Sequence, residues 1–395
     1  MLKFLFQYFL SSLSIFVIHL FKLLPQTSIY TFTIYFIFKI FIKNFTLVNQ
    51  FNNRYCLSIY ISLTFIFFMI ELPVGSRKEV MSYLEPFMVN EMADYLKPVE
   101  EMWQPADFLP DSSKDTFFSE VKELQESTKE LSYDLMAVLI GDTITEEALP
   151  TYESWLCMVD HVSRNEQGGW MKWVRAWTAE ENRHGDLLNK YLYLSGRVNM
   201  RAMEASTQYL IQDGFDIGTG HDPYRNFIYT SFQEIATNIS HRRVAMLAKQ
   251  GGDKLLSKIC GLIAADEARH AKAYKAFISK AFEVDASEVM IAFEDMMRKK
   301  IVMPAHFLRE LGTKVGHTFG HFTDAAQRLG VYTAVDYVDI MKNLIEDWNV
   351  ENIKDLNEAG EKARDYIVAL PDRLLRIADR MKSPGLEYKF SWILA

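Results

Sequence analysis

The sequence predicts an all-α protein. From Glu71 onward, apolar residues recur every three or four positions along most segments, as on the buried face of a helix. No stretch of useful length alternates apolar and polar residues, and the sequence has no glycine-rich nucleotide-binding loop. Loops rich in glycine, proline or polar residues separate the helices, at Pro105–Lys114, Asn165–Gly169, Asp213–Pro223, Gly251–Gly252 and Gly312–Gly320.

Charge and cysteine content narrow the class of protein. Residues 1–70 hold five basic and no acidic residues, so the net charge of −8 for the chain becomes −13 for residues 71–395. An acidic body of this kind is a poor candidate for nucleic-acid binding. Three scattered cysteines (Cys56, Cys157 and Cys260) form neither a disulfide framework nor a zinc motif, which favours a reducing compartment.

Residues 1–72 form an atypical hydrophobic segment. Residues 1–70 lack Ala, Gly, Asp and Glu, yet they hold half of the 28 phenylalanines. Apolar stretches such as Phe4–Leu24 resemble a membrane span or a targeting segment. The composition also resembles translated AT-rich non-coding DNA. Targeting peptide, membrane anchor and misannotated start therefore stay open, and residues 73–395 are predicted to form a single helical domain.

Four predicted helices carry ionisable residues in the middle of one face. Three of these faces are otherwise apolar, and the remaining one is polar, so its assignment rests on spacing alone. A carboxylate on an apolar face is costly to bury unless it is paired or binds a metal. The four faces are Leu135, Leu139, Asp142, Glu146, Leu149; Trp173, Trp177, Glu181, His184, Leu188; Thr230, Glu234, Thr237, His241; and Ile259, Ile263, Glu267, His270, Tyr274, Phe277.

Two Glu-x-x-His motifs predict a dinuclear metal centre. Residues three apart project from the same side of a helix, so one ion can bind both members of Glu181/His184 or of Glu267/His270. One further glutamate from each of two other helices completes the site of a ferritin-like bundle. Glu146 precedes the first motif by 35 residues and Glu234 precedes the second by 33, which is one helical hairpin repeated.

The two motifs also repeat each other locally. Residues 179–184 match residues 265–270 at Ala, an acid, Glu, Arg and His. A single Glu-x-x-His is more often a surface ion pair, but repetition in apolar surroundings with matched spacing favours metal binding. Hard carboxylates with only two imidazoles suit iron or manganese better than zinc.

Three residues close to Glu146 or Glu234 bear on the ligand assignment. Glu147 is an alternative ligand to Glu146, although only Glu146 continues the apolar face. Pro150 follows four residues after Glu146, and its ring should kink or restart the helix there. Thr237, one turn beyond Glu234, either hydrogen-bonds bound oxygen or another ligand, or bonds back to its own helix.

Seven runs of sequence carry a family resemblance. They are 141–152 (GDTITEEALPTY), 175–188 (RAWTAEENRHGDLL), 227–234 (FIYTSFQE), 303–306 (MPAH), 96–100 (LKPVE), 325–333 (AAQRLGVYT) and 390–393 (FSWI). Together, over residues 73–395, they resemble the plant soluble acyl-ACP desaturases, the stearoyl-ACP desaturase family. The resemblance excludes residues 1–70.

This resemblance implies an activity and its partners. The family inserts a cis double bond into a saturated acyl chain on acyl carrier protein, with Δ9 on stearoyl-ACP as its default. It works as a homodimer in the plastid stroma, with two iron ions, oxygen and electrons from ferredoxin. The competing interpretations are a ferritin-like iron-binding or ferroxidase protein and an inactive desaturase homologue.

The resemblance also implies roles for particular residues. The matching metal ligands are Glu146, Glu181, His184, Glu234, Glu267 and His270. Thr237 matches the threonine beside the metals, and Trp103 and Asp266 match the electron route toward iron. Residues that resemble the lining of the acyl tunnel are Trp155, Met158, Val159 and Ile217 near its methyl end, together with Phe227.

The charges of the expected partners suggest where they dock on this protein. Both expected protein partners are acidic and so is this chain, so docking should concentrate on local basic clusters. The candidates are Arg298, Lys299 and Lys300, or Arg242 and Arg243, with an ordinary solvated helix face as the simpler interpretation. Trp155 is bulky, which favours a shorter acyl chain if it fills the tunnel end.

Overall fold

The computed structural model describes residues 75–162, 167–378, 380–381 and 383–394. The interpretations of residues 1–72, and Asn165 at the start of one predicted loop, lie outside them. Within the described residues an isolated bridge between Val198 and Ile393 is the only β-pairing. The all-α prediction is confirmed. The α-helices are α1 Gly75–Tyr83, α2 Glu85–Asn90, α3 Phe117–Thr128, α4 Tyr133–Glu147, α5 Leu149–Cys157, α6 Gly169–Ser195, α7 Met200–Asp213, α8 Pro223–Gln250, α9 Lys254–Lys299, α10 Phe319–Leu329, α11 Ala334–Asp347 and α12 Glu358–Ala378.

Short 3-10 helices join these elements, at Met92–Tyr95, Val99–Glu101, Pro105–Asp107, Pro304–Phe307 and Val350–Asn352. None of the helices that the structure describes combines the length and the apolar character needed to cross a membrane.

Four long helices form the central bundle. Helices α8 and α9 pack against each other along their lengths, and α4 packs against α6. Their inward residues are fully buried, among them Leu139, Leu188 and Ile263. Helices α7, α10, α11 and α12 pack around this bundle. The prediction of a ferritin-like bundle with additional surrounding helices is confirmed.

Local sequence signals set the ends of the bundle helices. Ser132 caps α4, since its side chain accepts a hydrogen bond from the Leu135 amide at 3.2 Å. Helix α4 ends at Glu147 and α5 restarts with Pro150 in its first turn, where a missing N–H is tolerated. The predicted restart at Pro150 is therefore confirmed. Asp222 and Asp253 cap α8 and α9 in the same way as Ser132.

An extended C-terminal segment, residues 383–394, ties several helices together. The Asp324 carboxylate of α10 accepts hydrogen bonds from the Ser383 hydroxyl at 2.5 Å and from the Leu386 amide at 2.7 Å. Trp392 is fully buried, and its indole N–H donates to Ser206 Oγ of α7 at 2.8 Å. The segment thereby links α10 to α7.

Candidate metal centre

The six predicted ligands converge between α4, α6, α8 and α9. Two groups of ligand atoms each lie within 4.8 Å of one another, and both groups contain Glu181 and Glu267. The first group adds Glu146 and His184, and the second adds Glu234 and His270. Both histidines are fully buried, and five of the six residues fall below a tenth of their full exposure.

Unsatisfied atoms show that these side chains fit a metal pair. The buried atoms Glu181 Oε1, Glu267 Oε1 and His270 Nδ1 have no hydrogen-bond partner, although such atoms are costly to leave unpaired. His270 Nδ1 and Glu181 Oε1 lie 2.6 Å apart without hydrogen-bond geometry, which suits two ligands of one ion. Burial and the charges of Glu267 and Glu181 raise the pKa of Glu234 well above its ordinary value. Two divalent cations would balance the four carboxylates.

The outer nitrogen of each histidine faces an acid from the opposite motif. His270 Nε2 lies 3.0 Å from Glu180 Oε2, and His184 Nε2 lies 3.5 Å from Asp266 Oδ2. Such carboxylates orient a metal-bound imidazole. The sequence prediction named Asp266 but missed Glu180. The acid position of the internal repeat was the signal, since Glu180 and Asp266 occupy it in the two motifs.

Trp103 and Asp266 lie together at the outer side of His184. The Trp103 indole N–H donates to Asp266 Oδ2 at 3.0 Å, and its ring stacks with that of His184 at 6.0 Å between centroids. The Arg183 guanidinium lies over the Trp103 ring at 4.2 Å and donates to Asp266 Oδ2 at 3.2 Å. Burial raises the pKa of Asp266, but the hydrogen bonds and positive charges of His184 and Arg269 lower it by more. The pKa of Asp266 therefore lies well below its ordinary value. Trp103 is half-buried and connects this network to the surface.

The two alternatives around Glu146 and Glu234 are resolved by contacts. Glu147 points away from the metal centre and accepts hydrogen bonds from Asn189 at 2.6 Å and Thr207 at 3.3 Å. Thr237 contacts both its own helix and a predicted metal ligand, and its bond to bound oxygen stays a prediction. Its hydroxyl lies 3.1 Å from the Glu234 carbonyl and 2.5 Å from Glu267 Oε2.

Two adjoining cavities open beside the predicted ligands. A cavity of about 30 Å³ is lined by four of the ligands, and an apolar one of about 130 Å³ runs outward between α4, α8, α10 and residues 303–306. Thr145, Tyr152, Gln233 and Thr237 line both. The two cavities therefore adjoin each other, and the apolar one approaches the predicted ligands through the smaller one.

The five predicted substrate residues lie elsewhere. None of Trp155, Met158, Val159, Ile217 and Phe227 lines either cavity. The Trp155 ring packs edge-on against Tyr229, and the Phe227 ring packs in the aromatic core, 4.2 Å from that of Phe277. Met158 is half exposed, whereas Val159 and Ile217 are buried. Their assignment to the lining of an acyl tunnel stays a prediction.

The predicted docking clusters differ in what they contact. Arg298 pairs with Glu294 at 2.6 Å and stacks on the Tyr366 ring at 3.6 Å. Lys299 pairs with Asp295 at 2.8 Å, and Lys300 is exposed at the end of α9. Arg243 makes two hydrogen bonds of 2.6 Å to Asp336, while Arg242 is exposed. Their docking role also stays a prediction.

The fold is that of the ferritin-like helical bundles. The two groups of carboxylates and imidazoles, with shared glutamates, are compatible with the dinuclear carboxylate proteins of that class. Within that class, the sequence model of the family described as fatty acid desaturase matches residues 76–394. The chain belongs to this family of oxidoreductases, and within it to the plant soluble acyl-ACP desaturases.

The relatives include enzymes of different regiospecificity. Stearoyl-[acyl-carrier-protein] 9-desaturase 1, chloroplastic, of Arabidopsis thaliana is 52% identical over 80% of this chain and 82% of its own length. Palmitoyl-[acyl-carrier-protein] 4-desaturase 3, chloroplastic, of Ophrys sphegodes is 50% identical over 80% of each chain. Because these identities are nearly equal, similarity does not select a double-bond position. Among solved structures, DesA2 of Mycobacterium tuberculosis H37Rv aligns over 72% of this chain and 99% of that chain, at 16% identity and a TM-score of 0.45, which is too weak to bear on function.

Proposed function

We propose that this protein desaturates a saturated fatty acyl chain carried on acyl carrier protein, with stearoyl-ACP and Δ9 as the family default. The observation that carries the proposal is an apolar cavity of about 130 Å³ that adjoins the smaller cavity beside the predicted metal ligands and shares Thr237 with it. An extended acyl chain needs such a path, and a minimal iron-binding bundle does not. Relatives named as acyl-ACP desaturases at about 50% identity support the same activity.

The proposed cofactor is a pair of iron ions, held by the six predicted ligands. Iron supplies the reductive activation of oxygen that an unactivated methylene C–H requires, since such a bond has no useful acidity. The residues of the chain bind and orient. Thr237 hydrogen-bonds Glu267, Glu180 hydrogen-bonds the outer nitrogen of His270, and Asp266 lies 3.5 Å from the outer nitrogen of His184. Apolar walls exclude water from the reacting chain.

Electrons are proposed to arrive from ferredoxin through Trp103 and Asp266. The support is a continuous set of contacts from half-buried Trp103 through Asp266 to His184. Acyl carrier protein and ferredoxin are both acidic, so exposed cations such as Lys300 and Arg242 are the proposed contacts.

The biological setting is proposed from the relatives. They are named chloroplastic, which supports a plastid location, and the family resemblance supports a homodimer. We propose residues 73–395 as one desaturase domain, because the family model covers nearly all of it.

Reconstitution tests the proposal. Protein loaded with ferrous iron should convert acyl-ACP of sixteen or eighteen carbons to a cis-monoene when it receives oxygen and reduced ferredoxin. Glu267→Gln is the matched control and should lose iron and product together. Oxygen consumption and iron oxidation without any unsaturated product would favour the ferroxidase alternative. Trp155→Met should shift preference toward the longer chain if Trp155 closes the acyl path.

A further inference from the structure

His241 is not one of the six predicted ligands, yet it lies on the polar helix face that carries Glu234 and Thr237. It lies on α8, one turn beyond Thr237, and is 2% exposed. Its Nε2 lies 2.8 Å from Glu146 Oε1 with hydrogen-bond geometry. An ionised carboxylate only accepts hydrogen bonds, so the hydrogen of this pair belongs to Nε2. The other ring nitrogen, Nδ1, is buried and has no hydrogen-bond partner.

The second terminal glutamate has a corresponding partner. Glu234 Oε1 accepts a hydrogen bond from the Trp177 indole N–H at 3.2 Å. The other oxygens face inward in the same manner: Glu146 Oε2 lies 3.7 Å from His184 Nδ1, and Glu234 Oε2 lies 3.7 Å from His270 Nδ1. Each carboxylate thus has one oxygen held by a buried ring N–H and one directed toward the histidine of its own group.

We propose that His241 is a positioning residue of the metal centre, which holds Glu146 Oε1 and so presents Oε2 to the ion shared with His184. This inference rests on the proposed metal centre but not on desaturation. A carboxylate without such a hydrogen bond can rotate or bind the ion with both oxygens. A fixed orientation lowers the entropy cost of binding the ion. Trp177 performs the same task for Glu234, so the two metal positions have separate supports.

The geometry makes the effect of His241 specific to one of the two positions. Loss of its N–H should weaken the position formed by Glu146 and His184 and leave the position formed by Glu234 and His270 intact. Removal of a hydrogen-bond partner of this kind typically lowers metal affinity by about 10–100-fold.

Anaerobic titration of the apo-protein with ferrous iron, followed by equilibrium dialysis and metal analysis, tests the inference. His241→Asn cannot reach Glu146, whereas His241→Gln is one methylene longer and brings an amide N–H toward it. We expect His241→Asn to bind one iron tightly and the second about 10–100-fold more weakly, and His241→Gln to recover most of the loss. His321→Leu, a histidine substitution in α10, is the matched control and should bind two irons as the wild type does.

Double variants separate positioning from a general structural role. In the Glu234→Gln background, His241→Asn should weaken the remaining position. In the Glu146→Gln background it should change nothing, because His241 acts through that carboxylate. Equal affinity of wild type and His241→Asn, or an equal loss in both backgrounds, would overturn the inference. A wild type that binds no iron would instead overturn the proposed centre itself, and the inference with it.

Discussion

Gly141 is expected to shape the apolar cavity through its contact with Phe322. A Cβ at Gly141 would lie 2.3 Å from Phe322 Cε2 and 2.5 Å from Cδ2. Carbon atoms pack at about 3.5–4.0 Å, so in Gly141→Ala the ring must retreat by roughly 1 Å or more. Phe322 is only 8% exposed, but it lines the cavity. The ring therefore has room to move on the cavity side. The cavity should therefore narrow.

Gly141→Ala should change the free energy of unfolding through two opposite effects. Alanine is favoured over glycine in a helix by about 0.5–1 kcal/mol. Overpacking a well-filled core costs about 1–3 kcal/mol. The clash is severe, so we expect a net loss of about 1–2 kcal/mol in the free energy of unfolding, measured by urea denaturation of the apo-protein. Gly261→Ala on α9 is the matched control, because its Cβ would meet nothing within 4 Å, and it should be neutral or stabilising.

The same change should alter the acyl preference. A pocket that is too small by about one methylene discriminates by roughly 10–200-fold in kcat/KM. We expect this loss for the eighteen-carbon acyl-ACP and a smaller one for the sixteen-carbon substrate, in a competition assay with product analysis. Adding Phe322→Leu should restore the longer substrate. An unchanged preference in Gly141→Ala, or no recovery in the double variant, would refute the reasoning.

Three further predictions concern ligands and stability. Glu146→Gln should lose iron from one position, whereas Glu147→Gln should keep two irons, because Glu147 contacts Asn189 and Thr207 instead; metal analysis of purified protein decides. Trp392→Ala should lower the free energy of unfolding by about 3–5 kcal/mol, because the residue is fully buried, and a control at exposed Leu394 should not. Burial raises the pKa of Asp324, but hydrogen bonds from Ser383 and Leu386 and the charge of Arg328 hold it below its ordinary 3.8. A carboxylate whose pKa is lower in the folded state than in the unfolded state stabilises the fold at pH values above its unfolded pKa. The difference in free energy of unfolding between wild type and Asp324→Asn should therefore be full at pH 7 and shrink below about pH 4 in denaturation curves. A difference that stays constant with pH would contradict this.

Tertiary packing resolved the questions that helical periodicity left open. Helical spacing favoured Glu146 over Glu147, and the packing of α4 against α6 and α8 brings Glu146 to the other predicted ligands. Thr237 was assigned two exclusive contacts, but the neighbouring helix supplies Glu267 while its own carbonyl stays within reach. Spacing places a side chain on a face of its helix, but it does not show which residues of other helices that side chain meets.

The sequence by itself determined the helices, the restart at Pro150 and the paired Glu-x-x-His motifs, because all of these depend on neighbours within about one helical turn. It did not determine which acid faces which histidine, that His241 meets Glu146, or that Gly141 makes room for Phe322. Those contacts join residues far apart in the chain, so they depend on how the helices pack against one another. The six ligands were therefore readable as a pattern, whereas their supports and the cavity beside them were decided only by the tertiary structure.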